Sequence, residues 1–266
     1  MSTRPAAPVL ALDAMGVLYA AGDDVAELLI PFARRNGSVA GTQAIERAYL
    51  EASLGVIDAA TFWRRIGLDA CLEDEYLDGH RLTEGVRAFL KAASSVFDGV
   101  CCISNDVPDW SAKLRRSFCI EQDISPWFIS GDLGVRKPDP DIYRQVIARL
   151  GIPGHRIVFV DDRVRNLDAA RQLGFRTILF DPGNASPRSN HRRIRRLCDL
   201  LNNDHNPANT RPGWSRAPAV RLRIAAIQLN GHVEALYHGD ARADHAVGIR
   251  PVSTPRLWPG HHGRNC

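Results

Sequence analysis

Four short apolar runs in this chain each stop at an oxygen-bearing side chain. Val9 to Leu12 ends at Asp13, Gly99 to Ile103 at Ser104, Arg156 to Val160 at Asp161 and Asp162, and Arg176 to Phe180 at Asp181. Trp127 to Ile129 is a weaker run of the same kind. Runs of this length without alternation read as strands buried on both faces, which requires a parallel sheet with helices on each side. The segments between them supply the helices. One opens at Thr83-Glu84-Gly85 and runs to about Ser95; another has Pro140 in its first turn and stops at Leu150-Gly151; a third spans Arg163 to Leu173 before Gly174. Ligands of open α/β sheets bind at the C-terminal ends of the strands. Packing alone does not account for four polar residues delivered to that edge.

The expected architecture is α/β: a three-layer, Rossmann-like parallel sheet core over 8–16 and 83–201, with a helical cap over 17–82 inserted after the first strand. Within the insert, Asp23 to Arg35, Thr42 to Ser53, Asp58 to Ile66 and Asp69 to Gly79 read as helices, making it wholly helical. An insert at that point would sit over the strand ends as a lid. Pro187 to Leu201 reads as one basic helix with Ile194, Leu197, Leu200 and Leu201 on its apolar face. Residues 202–266, rich in Pro, Gly, Asn, His and Arg and lacking Lys, are expected to be a disordered tail, with Val220 to Leu229 its one candidate element.

Charge is partitioned along the chain. Up to Leu201 there are 26 basic and 26 acidic residues; the excess of the +4 total comes from the 8 Arg and 4 acids beyond it. Neutrality over the first 201 residues argues against specific nucleic-acid binding. No run approaches the ~20 apolar residues that span a bilayer, so no membrane partner is expected. The N-terminal apolar run VLALDAMGVL is broken by Asp13, unlike a signal-peptide core. Six cysteines, none in a CxxC pair, read as buried free thiols in a cytoplasmic protein. Nothing in the sequence specifies an oligomeric state.

Four motifs follow in order: LDAMGVL (Leu12 to Leu18), ISND (Ile103 to Asp106), GVRKPDPDIY (Gly134 to Tyr143) and FVDDRVRNLDAA (Phe159 to Ala170). A carboxylate at a strand end can attack phosphorus or activated carbon and form a covalent intermediate. Such transfer needs positive charge nearby, and Lys137, constrained between Arg136 and Pro138, can provide it. The Ser104 hydroxyl and neighbouring N–H groups can donate to the transferred group. Asp162 with Asp13 can hold a hard divalent cation, which takes one or two carboxylates and keeps several waters. Asp106 and Asp109 read as helix-start charges.

The order and spacing of these motifs resemble the haloacid dehalogenase superfamily of hydrolases, over residues 8 to 181. The resemblance implies Asp13 as nucleophile, with Ser104, Asn105 and Lys137 binding the phosphoryl group. It implies Mg²⁺ held by Asp13, Asp162 and the backbone carbonyl of Met15, supported by Asp161 and Asn166. Family phosphatases carry a second Asp two residues after the nucleophile, which protonates the leaving group and activates water; here that position is Met15. Proton transfer of this kind is worth roughly 10²–10⁴-fold in rate. The leading expectation is a Mg²⁺-dependent hydrolase of a small phosphorylated metabolite. One alternative is a 2-haloacid dehalogenase-type carbon–halogen hydrolase; another is a catalytically weak protein that binds a phosphorylated ligand or a partner. In the lid, Arg34, Arg35, Trp63, Arg64 and Arg65 are candidate substrate contacts.

Overall fold

A computed structural model describes residues 7–186 and 188–201. Six parallel strands form one sheet in the order β3-β2-β1-β4-β5-β6: β1 Val9–Leu12, β2 Gly99–Ser104, β3 Trp127–Ile129, β4 Ile157–Asp161, β5 Arg176–Phe180 and β6 Arg192–Ile194. The first five lie where the apolar runs predict them. β1 is central, pairing Leu12 with Cys102 on one side and with Val160 on the other. Alternation sorts its side chains to two cores: Leu10 and Leu12 join one buried cluster, Val9 and Ala11 the other. Helices cover both faces. α5 (Val86–Ala93) contributes Val86, Phe89 and Leu90 to the first cluster. α7 (Ser130–Leu133) follows β3 directly, and α8 (Pro140–Leu150) and α9 (Val164–Gln172) contribute Ile142, Tyr143, Val146 and Leu167 to the second.

The segment Val17 to Leu82 is mostly helical but not wholly so. Its two ends are zipped as a short ribbon: the Thr83 N–H donates to the Leu18 carbonyl and the Ala20 N–H to that of Arg81, both at 2.9 Å. A π-helical turn, Val25–Leu29, runs into α1 (Ile30–Arg35). Pro31 lacks an N–H and its ring crowds the carbonyl four residues back, which favours a widened turn there. α2 (Thr42–Ala52), α3 (Ala59–Arg65) and α4 (Glu73–Leu77) follow. The insert and the sheet helices share one aromatic core: Trp63 and Tyr76 pack on Trp110 of α6 (Pro108–Ser117), with ring centroids 5.6 and 5.1 Å apart. Glu73 accepts both indole N–H groups, at 3.0 Å from Trp63 and 2.8 Å from Trp110.

The basic helix expected over Pro187 to Leu201 is corrected. Arg192–Ile194 is instead the edge strand β6, paired with Ile178 to Phe180, and Leu197–Leu201 is a 3₁₀ turn. Ile194, Leu197 and Leu200 are buried as the apolar pattern requires, but an open sheet edge beside β5 gave the backbone a better set of partners than an isolated helix offers. The cysteine expectation also needs amendment. Cys101 and Cys102 are buried free thiols as expected, whereas Cys71 and Cys198 are free but exposed. No helix among the described residues is long and apolar enough to cross a membrane. The expected tail over 202–266, including Val220 to Leu229, lies outside the described residues.

Candidate active site

Asp13 follows β1, and its N–H still donates to the Val160 carbonyl (2.9 Å), so the sheet aims its side chain from the strand edge. Both hydrogen bonds to this carboxylate fall on Oδ1: one from the Ala14 N–H at 2.6 Å, the other from Lys137 Nζ at 2.7 Å. Lys137 Nζ also reaches Asp161 Oδ2 at 2.9 Å and the Ile103 carbonyl at 2.7 Å, which uses all three ammonium protons. The loop carrying Lys137 is fixed from both sides. Asn105 clamps its peptide, accepting from the Lys137 N–H at 2.8 Å and donating to its carbonyl at 2.9 Å. Asp139 then caps α8 through the Asp141 N–H, with Pro140 in the first turn.

Three carboxylates, of Asp13, Asp161 and Asp162, place oxygen atoms within 4.8 Å of one another. Burial, then the charge of Asp161, drives the Asp13 pKa well above the usual carboxylate range, against the opposing pull of Lys137. Burial works the other way on Lys137, but the two carboxylates outweigh it and raise its pKa. Asp161 is saturated: besides Lys137 it accepts both contacts from Asn166 Nδ2 at 3.0 Å and the Arg163 N–H at 2.8 Å. Asn166 is in turn anchored by the Tyr143 hydroxyl on its carbonyl. Asp162 differs. Its Oδ1 is buried without a partner, and its pKa is raised to about 6 by burial and by Asp161. A backbone cradle approaches it closely: a Cβ on Gly16, whose φ is +79°, would lie 2.5 Å from Asp162 Oδ2. An all-oxygen donor set with surplus negative charge and an orphaned carboxylate oxygen fits a hard divalent cation.

A cavity of about 300 Å³ opens beside this cluster. Its sheet-edge wall includes Asp13, Met15, Asn105, Lys137, Arg163 and Asn166; the facing wall comes from the insert, including Asp24, Glu46 and Tyr49. The Tyr49 hydroxyl lies 3.2 Å from the Asn105 carbonyl and 3.4 Å from Asp24 Oδ2. Arg136 packs over the Tyr49 ring at 5.5 Å and donates to Ser53 Oγ. Thus Asp13, Lys137, Asp161, Asp162 and Asn166 are brought together, with Met15 and Asn105 at the cavity. Ser104 is placed differently. It is the last residue of β2, fully buried and without a hydrogen-bond partner for Oγ; the cavity wall at this edge is Asn105.

The insert residues singled out from sequence are not at the cavity. Trp63 is a core residue bonded to Glu73, Arg34 donates to the Ser38 and Ala40 carbonyls, and Arg35 packs over Phe32. Arg64 bonds Thr61 and Arg65 pairs with Glu51. Among the insert residues that do face it, Asp24 and Tyr49 carry no signal beyond a helix start and an apolar helical position. Arg136 and Arg163 sat inside recognisable motifs and could have been found there. Asp106 is buried, with a pKa raised well above normal by burial and Asp24, whereas Asp109 lies in the first turn of α6 as expected.

A family model described as "haloacid dehalogenase-like hydrolase" matches residues 7–174. Among curated proteins, the chain is 24% identical over 139 residues to a flavin mononucleotide hydrolase of Arabidopsis thaliana, covering 50% of this chain and 56% of that protein. It is 39% identical over 82 residues to an enolase-phosphatase of Stenotrophomonas maltophilia, covering 29% and 34%. The chain thus spans about half, or less, of the length of these relatives. A solved structure from Bacteroides thetaiotaomicron, a wild-type HAD family enzyme in complex with magnesium and inorganic phosphate, superposes with a TM-score of 0.55 at 21% identity, covering 66% of this chain and 96% of that one. At that identity the likeness concerns the fold.

Proposed function

The chain belongs to the haloacid dehalogenase-like hydrolase family, and from that premise we propose that it is a Mg²⁺-dependent phosphohydrolase of a small phosphorylated metabolite, with Asp13 as nucleophile. The observation that carries the reading is the division of labour among three carboxylates. Asp161 is consumed in holding Lys137, Asp13 is held on one oxygen only, and Asp162 keeps a buried oxygen unpartnered. A structural ion-pair cluster has no reason to leave such an oxygen bare. The phosphatase relatives support the same reading.

With Oδ1 of Asp13 fixed by Lys137 and the Ala14 N–H, Oδ2 is the oxygen that attacks phosphorus, forming an aspartyl phosphate. Lys137 offsets the charge of Asp13 and of the transferred group; Asn105 keeps its loop in place; Asp161, oriented by Asn166, keeps the ammonium aimed. Asp13, Asp162 and the Met15 carbonyl would hold the Mg²⁺, which when bound neutralises the phosphoryl oxygens and orients the group for in-line attack. The insert, as the wall opposite the sheet edge, acts as the cap that selects the substrate and excludes water.

The test is a panel of phosphate esters and 2-haloacids, each assayed with Mg²⁺ and with chelator, for wild type and Asp13→Asn. Phosphate release that needs both Mg²⁺ and Asp13 is expected. Halide release that survives chelation would overturn the reading in favour of a carbon–halogen hydrolase. Ligand-induced stabilisation by phosphate esters without turnover would instead mark a binding protein.

A further inference from the structure

An alkyl phosphate leaves badly as an alkoxide, and Met15 can neither give nor take a proton. Attack in line from Asp13 sends the leaving oxygen away from the sheet edge, toward the wall built by the insert. Three carboxylates stand on that wall: Asp23, Asp24 and Glu46. Asp23 and Glu46 are exposed, whereas Asp24 is 95% buried while still bordering the cavity. We propose that Asp24 protonates the leaving oxygen, supplying from the insert the proton that Met15 cannot supply from the sheet edge. This rests on the phosphoryl-transfer reading above.

The steps balance. Asp13 Oδ2 bonds to phosphorus as the P–O bond to the leaving group breaks, and the carboxyl proton of Asp24 goes to the departing oxygen, releasing an alcohol. Water then attacks the aspartyl phosphate and gives its proton to solvent, from which the Asp24 carboxylate recovers its own. Asp13 and inorganic phosphate separate, and Asp24 is again protonated.

The local structure suits a group that must hold a proton and release it. Burial, and then the neighbouring charge of Asp23, raises the Asp24 pKa to about 6; Arg163, the Tyr49 hydroxyl and the Val25 N–H oppose the rise. The other titratable groups interacting with it are Tyr76 from α4 and Asp106 after β2. Tyr49 has one hydroxyl proton and two acceptors in reach, Asp24 Oδ2 and the Asn105 carbonyl. It can therefore satisfy the Asp24 carboxylate and turn to Asn105 when Asp24 is protonated. Asn105 in turn clamps Lys137, so the two walls of the cavity are linked by direct hydrogen bonds.

The experiment compares ethyl phosphate with p-nitrophenyl phosphate, whose leaving group needs little protonation. For Asp24→Asn, kcat on the ethyl ester is expected to fall about 10²–10⁴-fold and kcat on the aryl ester less than about tenfold. In wild type, kcat on the ethyl ester should decline as pH rises through about 6, with no matching decline on the aryl ester. That second readout needs no variant, so poor folding of Asp24→Asn leaves the proposal testable. Adding Met15→Asp to Asp24→Asn should recover part of the loss on the ethyl ester. Equal losses on both esters, or pH profiles of the same shape for both, overturn the role of Asp24 while leaving the phosphohydrolase reading intact. If wild type hydrolyses neither ester, or if Asp13→Asn is as active as wild type, that reading falls and this proposal with it.

Discussion

Replacing Glu73 with Ala should show how firmly the insert is locked to the sheet helices. One oxygen, Oε2, accepts the indole N–H of Trp63 in the insert and that of Trp110 on α6, and both rings are almost wholly buried. Alanine leaves two donors with no acceptor. An unsatisfied buried donor costs roughly 1–3 kcal/mol, so the pair costs about 2–6 kcal/mol. At the middle of that range, and at about 2–4 °C per kcal/mol for a domain of this size, the melting temperature should fall by about 8–16 °C. Glu73→Gln separates the causes. Its amide oxygen can still accept both indoles, while the pairing of Lys113 with Oε1 at 2.7 Å is lost. Lys113 is 39% exposed at its side chain, and an ion pair that open to solvent is worth about 0–1 kcal/mol. Melting followed by circular dichroism, at fixed pH and protein concentration, reads both variants. An alanine variant within about 2 °C of wild type, or a glutamine variant as unstable as the alanine one, would refute the assignment of the stability to the two indole bonds.

Lys137→Met removes the cation shared by two buried carboxylates and should destabilise the fold by about 3–5 kcal/mol in chelator. The Asp13 pKa is raised above its unfolded value, so its contribution to stability is present at low pH and lost as pH rises through the folded pKa. Without Lys137 that pKa climbs further, and denaturant titrations should show the deficit against wild type shrinking on acidification; a deficit constant with pH would contradict this. Gly16→Ala should cost about 1–2 kcal/mol for a left-handed residue and push Asp162 aside, raising the Mg²⁺ concentration for half-maximal binding at least tenfold by calorimetric titration. An unchanged Mg²⁺ titration would remove Asp162 from the metal site.

Much of this protein was legible from local chemistry. Apolar runs such as Val9 to Leu12, bounded by turn residues, read as buried strands, and a strand end must present whatever residue follows, so Asp13 and the Asp161–Asp162 pair fall at the sheet edge on sequence alone. Lys137 was marked by the rigidity of its own loop. What the sequence could not specify were contacts between segments far apart in the chain. Trp63 on an amphipathic helix is equally a cavity residue or a core residue until Glu73 and Trp110 close on it. The residues Arg192 to Ile194 fit a basic helix until the open edge of β5 supplies backbone partners. Asp24 is an unremarkable helix-start acid in sequence, and only its burial beside Tyr49 raises its pKa to about 6. Strand position and loop rigidity are written in neighbouring residues. Burial, and the pKa values and pairings that follow from it, belong to the assembled interior and arise only when α2, α4, β2 and β4 bring their side chains to the same place.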